Sequence, residues 1–224
     1  MKSQDILLLL KLVSISKKDR TGDAYLNSPW QDWETEPGSG MRGALEKDAD
    51  LGSLHLKAVA THEHSSAAQY GLRALAEMTG ISKSQVSLAL ARCYANGLAH
   101  VDRITAVPQV NTTALGEFIV YGLRYIFPAS RGVLTRGIAT AWAAPVLSNS
   151  ILSGGEMPFV WPDPRGKTRG QSLEPIYKTV PAAVRKDPML YNFLALTDSI
   201  RIGQARERAA ATDLLVKALE RTHV

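Results

Sequence analysis

The chain opens on a segment with almost no polar face. Ile6, Leu7, Leu8, Leu9, Leu10, Leu12, Val13 and Ile15 follow one another between Lys2 and Ser16. The pattern predicts a helix over 2–16, with Ser3 as N-cap and Asp5 in the first turn, where a carboxylate complements the helix dipole. A helix that is apolar all round must be covered on more than one side. The expected cover is the centre of its own domain on one side and a second subunit on the other.

Residues 17–66 break this pattern. Turn-forming groups such as Asn27-Ser28-Pro29 and Pro37-Gly38-Ser39-Gly40 alternate with charges, and aliphatic residues are few. The stretch reads as an insertion, and residues 17–50 within it, acidic and poor in aliphatics, are expected to add little to the stability of the fold. A short helix is expected near 54–61, and Trp30 and Trp33 are the residues able to pin the segment onto a neighbouring surface.

From Ala68 onward the pattern is regular again. It predicts a helix over 72–79, a turn at Gly80-Ile81, a helix over 82–96 ended by Gly97, and two short strands over 98–103 and 107–110. A helix over 112–127 follows, capped by Asn111 and stopped by Pro128. Beyond it come an irregular stretch to Leu152, a hairpin around 161–166, and two helices over 187–201 and 204–222 divided at Gly203. The expected fold class is mainly α with small β elements. Residues 1–111 form a first domain, and 112–224 a mostly helical second domain containing a β-hairpin.

The segment from Leu72 to Leu90 has the spacing of a helix-turn-helix. Ala76 is small where two helices would approach most closely, and Gly80 supplies the permissive backbone of the turn. Ile81, Val86 and Leu90 make the apolar side of the second helix, and Ser82 with Gln85 makes a capping box. Ser82, Lys83, Ser84, Gln85, Ser87, Leu88 and Arg92 are then left on or near the outer face. The N-terminal residues of such a helix reach base edges in a major groove. Gln85 suits adenine, the serines suit bases or phosphates, and Lys83 and Arg92 suit phosphate oxygens. The strand pair takes the place of a wing, with Arg103 as its contact residue.

On these residues the chain resembles the winged helix-turn-helix regulators, including their MarR-like members, over about 1–15 and 68–111. The second half, with Tyr125 to Pro128, Leu134 to Gly137 and Gln204 to Arg208, is similar to uncharacterised bacterial proteins that carry a helix-turn-helix at the front. The resemblance implies a homodimeric transcriptional regulator, a repressor, that reads a pseudo-palindromic operator in double-stranded DNA through the 82–96 helix. The alternative is an antitoxin-like or adaptor protein whose C-terminal half binds and restrains a toxin-like protein partner.

Charge changes the picture modestly. The chain carries 26 Lys and Arg against 21 Asp and Glu, a net of +5. Residues 17–50 hold five basic and eight acidic residues, a net of −3, so the remainder carries +8. An excess of that sign favours polyanionic partners. No acidic residue lies between Glu117 and Glu156, where Arg124, Arg131 and Arg136 fall. These three are candidate contacts to the DNA backbone or to a partner, set against the plainer reading of solvated or paired arginines beside turn glycines.

Other chemistry is sparse. His55, His62, Glu63 and His64 lack the spacing that sets two ligands on one helix face, so no metal is expected. The single cysteine, Cys93, excludes an internal disulfide, fits a reducing compartment and reads as a small core residue. There is no Walker A loop, no Gly-x-Gly-x-x-Gly, no Gly-x-Ser-x-Gly and no His-Glu-x-x-His. No apolar run approaches the roughly 18 residues of a membrane span. The expectation is a cytoplasmic protein that is not an enzyme and takes no cofactor.

Overall fold

The computed structural model describes residues 1–21, 31–34, 67–148, 150 and 157–220. In chain order the elements are α1 (Ser3–Thr21), α2 (Leu72–Thr79), α3 (Lys83–Ala95), β1 (Ala99–Val101), β2 (Pro108–Val110), α4 (Thr112–Glu117), α5 (Leu123–Ile126), β3 (Arg131–Thr140), β4 (Phe159–Pro162), β5 (Thr168–Leu173), α6 (Val180–Val184), α7 (Pro188–Ile202) and α8 (Ala205–Glu220). Helices dominate, and the strands form one two-stranded and one three-stranded sheet. The helix expected over 112–127 is present but interrupted. A π-helical turn, Phe118–Gly122, joins α4 to α5. The region 54–61, the histidines at 55, 62 and 64, and Glu63 lie outside the described residues. Among the described residues no helix is long and apolar enough to cross a membrane, and no cluster of His, Cys, Asp or Glu could hold a metal ion.

Two helices without a polar face occupy the centre. Every residue of α1 from Gln4 to Ile15 is buried, and so is every residue of α7 from Pro188 to Arg201 except Asn192. The chain itself covers α1, which packs against α2, α3, β2 and α7. The leucines that raised the expectation of a second subunit are therefore accounted for within one chain. The apolar core runs without interruption from Ile6 and Leu75 through Leu115 to Leu190 and Leu215, across the position where the sequence placed a domain boundary.

Polar groups buried in these helices are matched to one another. Asp187 is the N-cap of α7, accepting from the Leu190 amide at 3.1 Å. Its carboxylate also accepts from Lys11 Nζ and Ser14 Oγ of α1, each at 2.7 Å, and Lys18 Nζ lies 3.4 Å away. Burial alone would raise the Asp187 carboxyl, but Lys11, Ser14 and Lys18 together hold it below its ordinary value. Further along α7, Asp198 accepts from Thr140 Oγ1 at 3.0 Å, Trp161 Nε1 at 2.6 Å and Arg201 at 2.7 Å. Arg201 in turn donates to the Phe127 carbonyl at 2.9 Å. That pair fastens β3, β4 and the end of α5 to the same helix.

The three-stranded sheet departs from the sequence expectation. The stretch read as irregular contains β3, which is exposed on both faces over Arg131–Leu134 and buried on both faces over Gly137–Thr140. Such a strand shows no period-two alternation to read. The hairpin expected around 161–166 is absent. The strands β4 and β5 run parallel, each paired antiparallel to β3. A Cβ on Gly137 would strike the Trp161 backbone of β4, and a Cβ on Gly166, in the β4–β5 connection, would strike the Gly137 backbone, which explains both glycines.

The segment 31–34 packs into this sheet, which is at odds with the expectation that residues 17–50 add little to the stability of the fold. Asp32 accepts from the Ala139 amide at 2.6 Å and from Thr168 Oγ1 at 2.9 Å. Trp33 bridges to Gly166, is only 5% exposed, and meets the Tyr191 ring edge-on at 6.1 Å. Trp33 thus pins its segment to α7.

Two outcomes follow from these contacts. Asp187→Asn strands Lys11 in the core and is expected to cost about 3 kcal/mol at neutral pH. Because the folded carboxyl titrates below its unfolded value near 3.9, its stabilisation is present above about pH 4 and is lost as pH falls through the folded value. Urea melts across pH 2–7 should therefore give a shallower acid limb for the variant, and superimposable limbs would refute the pairing. Trp33→Ala should cost about 3–5 kcal/mol, as for other large core truncations. A melting temperature within a degree of the parent would show that the 31–34 segment is dispensable after all.

Candidate nucleic-acid interface

The joint between α2 and α3 is built as its sequence dictates. Gly80 caps α2 with φ 70°, a left-handed conformation that favours glycine, and donates its amide to Ala76. A Cβ there would also press on Thr179, whose hydroxyl donates to the Thr79 carbonyl at 2.6 Å. Ile81 is buried, and Ser82 Oγ accepts from the Gln85 amide at 3.4 Å, which starts α3 sharply. The reciprocal half of the capping box does not form. Instead the Gln85 side-chain oxygen accepts from Gln4 Nε2 at 3.1 Å.

The helical period sorts α3 into two faces. Val86, Ala89, Leu90 and Cys93 are buried against α1, α2 and β1. Cys93 is a core residue whose thiol is pushed up to about 12 by burial. Ser82, Lys83, Ser84, Ser87 and Leu88 are exposed, Leu88 by 52%. Lys83 and Ser87 have no side-chain partner among the described residues, and no acidic residue occurs between Glu77 and Asp102. The outward face of α3 is weakly basic and open to solvent, polar at its start and apolar at Leu88 and Ala91.

Arg92 does not belong to that face. Its guanidinium grips Asp5 through two bonds, Nε at 2.9 Å and a terminal nitrogen at 2.6 Å. Asp5 is wholly buried in α1. This pair bolts α3 to α1, and the phosphate role expected for Arg92 is replaced by a positioning one. The signal in the sequence was Asp5 itself, since an acid in a helix apolar all round must find a cation.

The strands β1 and β2 pair antiparallel, Ala99 with Val110 and Val101 with Pro108, and Leu98 and Ala99 anchor them beneath α3. Arg103 sits exposed in their connecting loop. Asp102 organises that loop, and bonds from Thr105 and Ile104 hold its carboxyl below the usual range. The remaining arginines have local company. Arg124 lies 5.5 Å from the Tyr125 ring, Arg131 5.1 Å from the Phe159 ring, and Arg136 3.7 Å from Glu34 in an exposed pair. The ribbon carrying Arg131 and Arg136 packs on α7, β4 and β5, whereas α3 packs on α1, α2 and β1.

Concavities lie elsewhere. A cleft of about 520 Å³ is lined by Trp33, Glu77, Met78, Arg165 and Arg185. An apolar groove of about 300 Å³ runs between α7 and α8, floored by Met189, Phe193, Leu196 and Leu214. Comparison of the chain with known protein families, with curated proteins and with solved structures returns no match.

Proposed function

We propose that residues 1–21 and 67–111 form a winged helix-turn-helix that binds duplex DNA, and that the chain is a sequence-specific transcriptional regulator. In this reading α3 enters the major groove and the β1–β2 hairpin lies alongside as the wing. One observation carries it. The outward face of α3 from Ser82 to Leu88 is open, free of acids and polar but for Leu88, while the inward face is fixed by packing and by Arg92 on Asp5. A helix held so firmly on one side and left bare on the other suits the reading of a groove.

The contact set is narrower than the sequence suggests. On α3 and the β1–β2 hairpin, Lys83 and Arg103 are exposed cations with no side-chain partner among the described residues and suit phosphates, and Ser84 and Ser87 face outward for bases or phosphates. Gln85 offers its amide nitrogen, since its oxygen is engaged by Gln4. A second reading, an adaptor that binds a protein partner through its C-terminal half, is favoured by a different observation. Tyr121, Tyr125 and Ile126 are 75%, 77% and 55% exposed around the π-helical turn.

Electrophoretic shifts on a library of genomic fragments at about 50 mM and about 200 mM salt test the first reading. Binding should weaken steeply with salt, and Lys83→Ala and Arg103→Ala should each reduce the salt slope by about one. No shift at the lower salt would rule out DNA binding and leave the adaptor reading. Arg92→Ala separates positioning from contact. It leaves Asp5 buried without a cation, so thermal melts should show a loss of about 3 kcal/mol, whereas Lys83→Ala should melt like the parent. Arg92→Ala with an unchanged melt and a reduced salt slope would return that arginine to the DNA-contacting set.

A further inference from the structure

Ile104 stands almost entirely in water. It is 94% exposed at the tip of the β1–β2 hairpin, more than any other large hydrophobic residue among those described. Turn positions favour Gly, Asn, Asp, Ser and Pro, so a β-branched aliphatic at a tip is out of place chemically. It is also held there firmly. Asp102 Oδ1 accepts from the Ile104 amide at 2.9 Å, the Thr105 amide at 2.7 Å and Thr105 Oγ1 at 2.9 Å. The Asp102 amide donates to the Val107 carbonyl at 2.9 Å, and the Ala106 amide to the Asp102 carbonyl at 3.0 Å.

The loop also carries strain. Ala106 takes φ 56°, a left-handed conformation adopted without a glycine. Strain of this kind persists where the surrounding bonds over-determine the backbone, and it gathers at sites that act. The result is a preorganised apolar point with a cation beside it, because Arg103 is exposed and the Asp102 carboxylate is turned to its own loop's donors. Val101, 50% exposed on β1, extends the apolar side, and His100 is exposed next to it.

We propose that Ile104 is a wedge that enters the minor groove beside the α3 site and unstacks one base step, with Arg103 lying in the same groove. The proposal rests on the DNA-binding reading and adds to it a deformation of the duplex. Apolar side chains inserted between base steps kink DNA and bring more of it against the protein, while arginine is drawn to the negative potential of a narrow minor groove. The hairpin is carried on the C-terminal end of α3 through Leu98 and Ala99, so helix and tip approach a duplex as one body. The adjacent cation and the weakly basic α3 favour a nucleic acid over an apolar protein groove.

Duplexes selected from a random pool by the full-length protein provide the probe. Each is re-made with 2-aminopurine at successive positions and, separately, as a circularly permuted set for bending. The expected result is a severalfold rise in fluorescence at one step outside the α3 footprint, together with a bent complex. Ile104→Ala should abolish both and weaken binding about tenfold, and Ile104→Met should restore them. Lys83→Ala should weaken binding yet keep the fluorescence signal at saturating protein. A selected duplex bound with no fluorescence change at any position, or with a change that survives Ile104→Ala, overturns the wedge and leaves DNA binding standing. Failure to select any duplex at about 50 mM salt overturns the DNA-binding reading and the wedge with it.

Discussion

The carboxylate of Asp187 serves two helices at once. It accepts from one of the orphaned amides at the start of α7, that of Leu190, and it neutralises Lys11 in the middle of α1. Neither helix has a polar face on which to carry such groups in water. Taking either charge alone into the core would cost several kcal/mol, so the two are tolerable only together. Their pairing, with Ser14 completing the set, fixes α1 against α7 in both register and angle. A purely apolar contact between two leucine-rich helices would leave that register loosely specified, because dispersion and burial are non-directional.

The rest of the architecture is fastened to this pair. On one side Asp198 and Arg201 of α7 hold the small sheet, and Trp33 closes over it against Tyr191. On the other side α1 presents Asp5 to Arg92, so that α3 is located through α1. The turn before α3 has a separate tie, since Thr179 bonds the Thr79 carbonyl beside Gly80. With the turn before it and its own last turn both fixed, α3 leaves one face for solvent.

What could be read from the sequence was what depends on near neighbours. The helices flanking Gly80, the caps at Ser82 and Asn111, the break at Gly203 and the pairing of β1 with β2 all rest on residues a few positions apart. Where the partner is distant, pattern reading failed. Arg92 was placed outward because its acid lies 87 residues away. The turn at 161–166 suggests a hairpin, whereas β4 and β5 pair only parallel with each other and antiparallel with β3. That strand stayed hidden because it passes from open water into the core along its length, so neither end alternates. That Trp33 can pin its segment to a neighbouring surface is legible in the sequence, whereas the surface itself, Tyr191 of α7, is not, because it lies far along the chain.

Distance along the chain has a further consequence, for the order in which the molecule can assemble. Lys11 and Asp187 are 176 residues apart. On a ribosome adding roughly 5–20 residues per second, the first helix waits roughly 9–35 seconds before its counterpart is even synthesised. Until then the side of α1 that will meet α7 lacks that cover. In a newly made chain, then, apolar surface of α1 stays exposed until α7 has been synthesised, and exposed surface of that kind favours aggregation over folding.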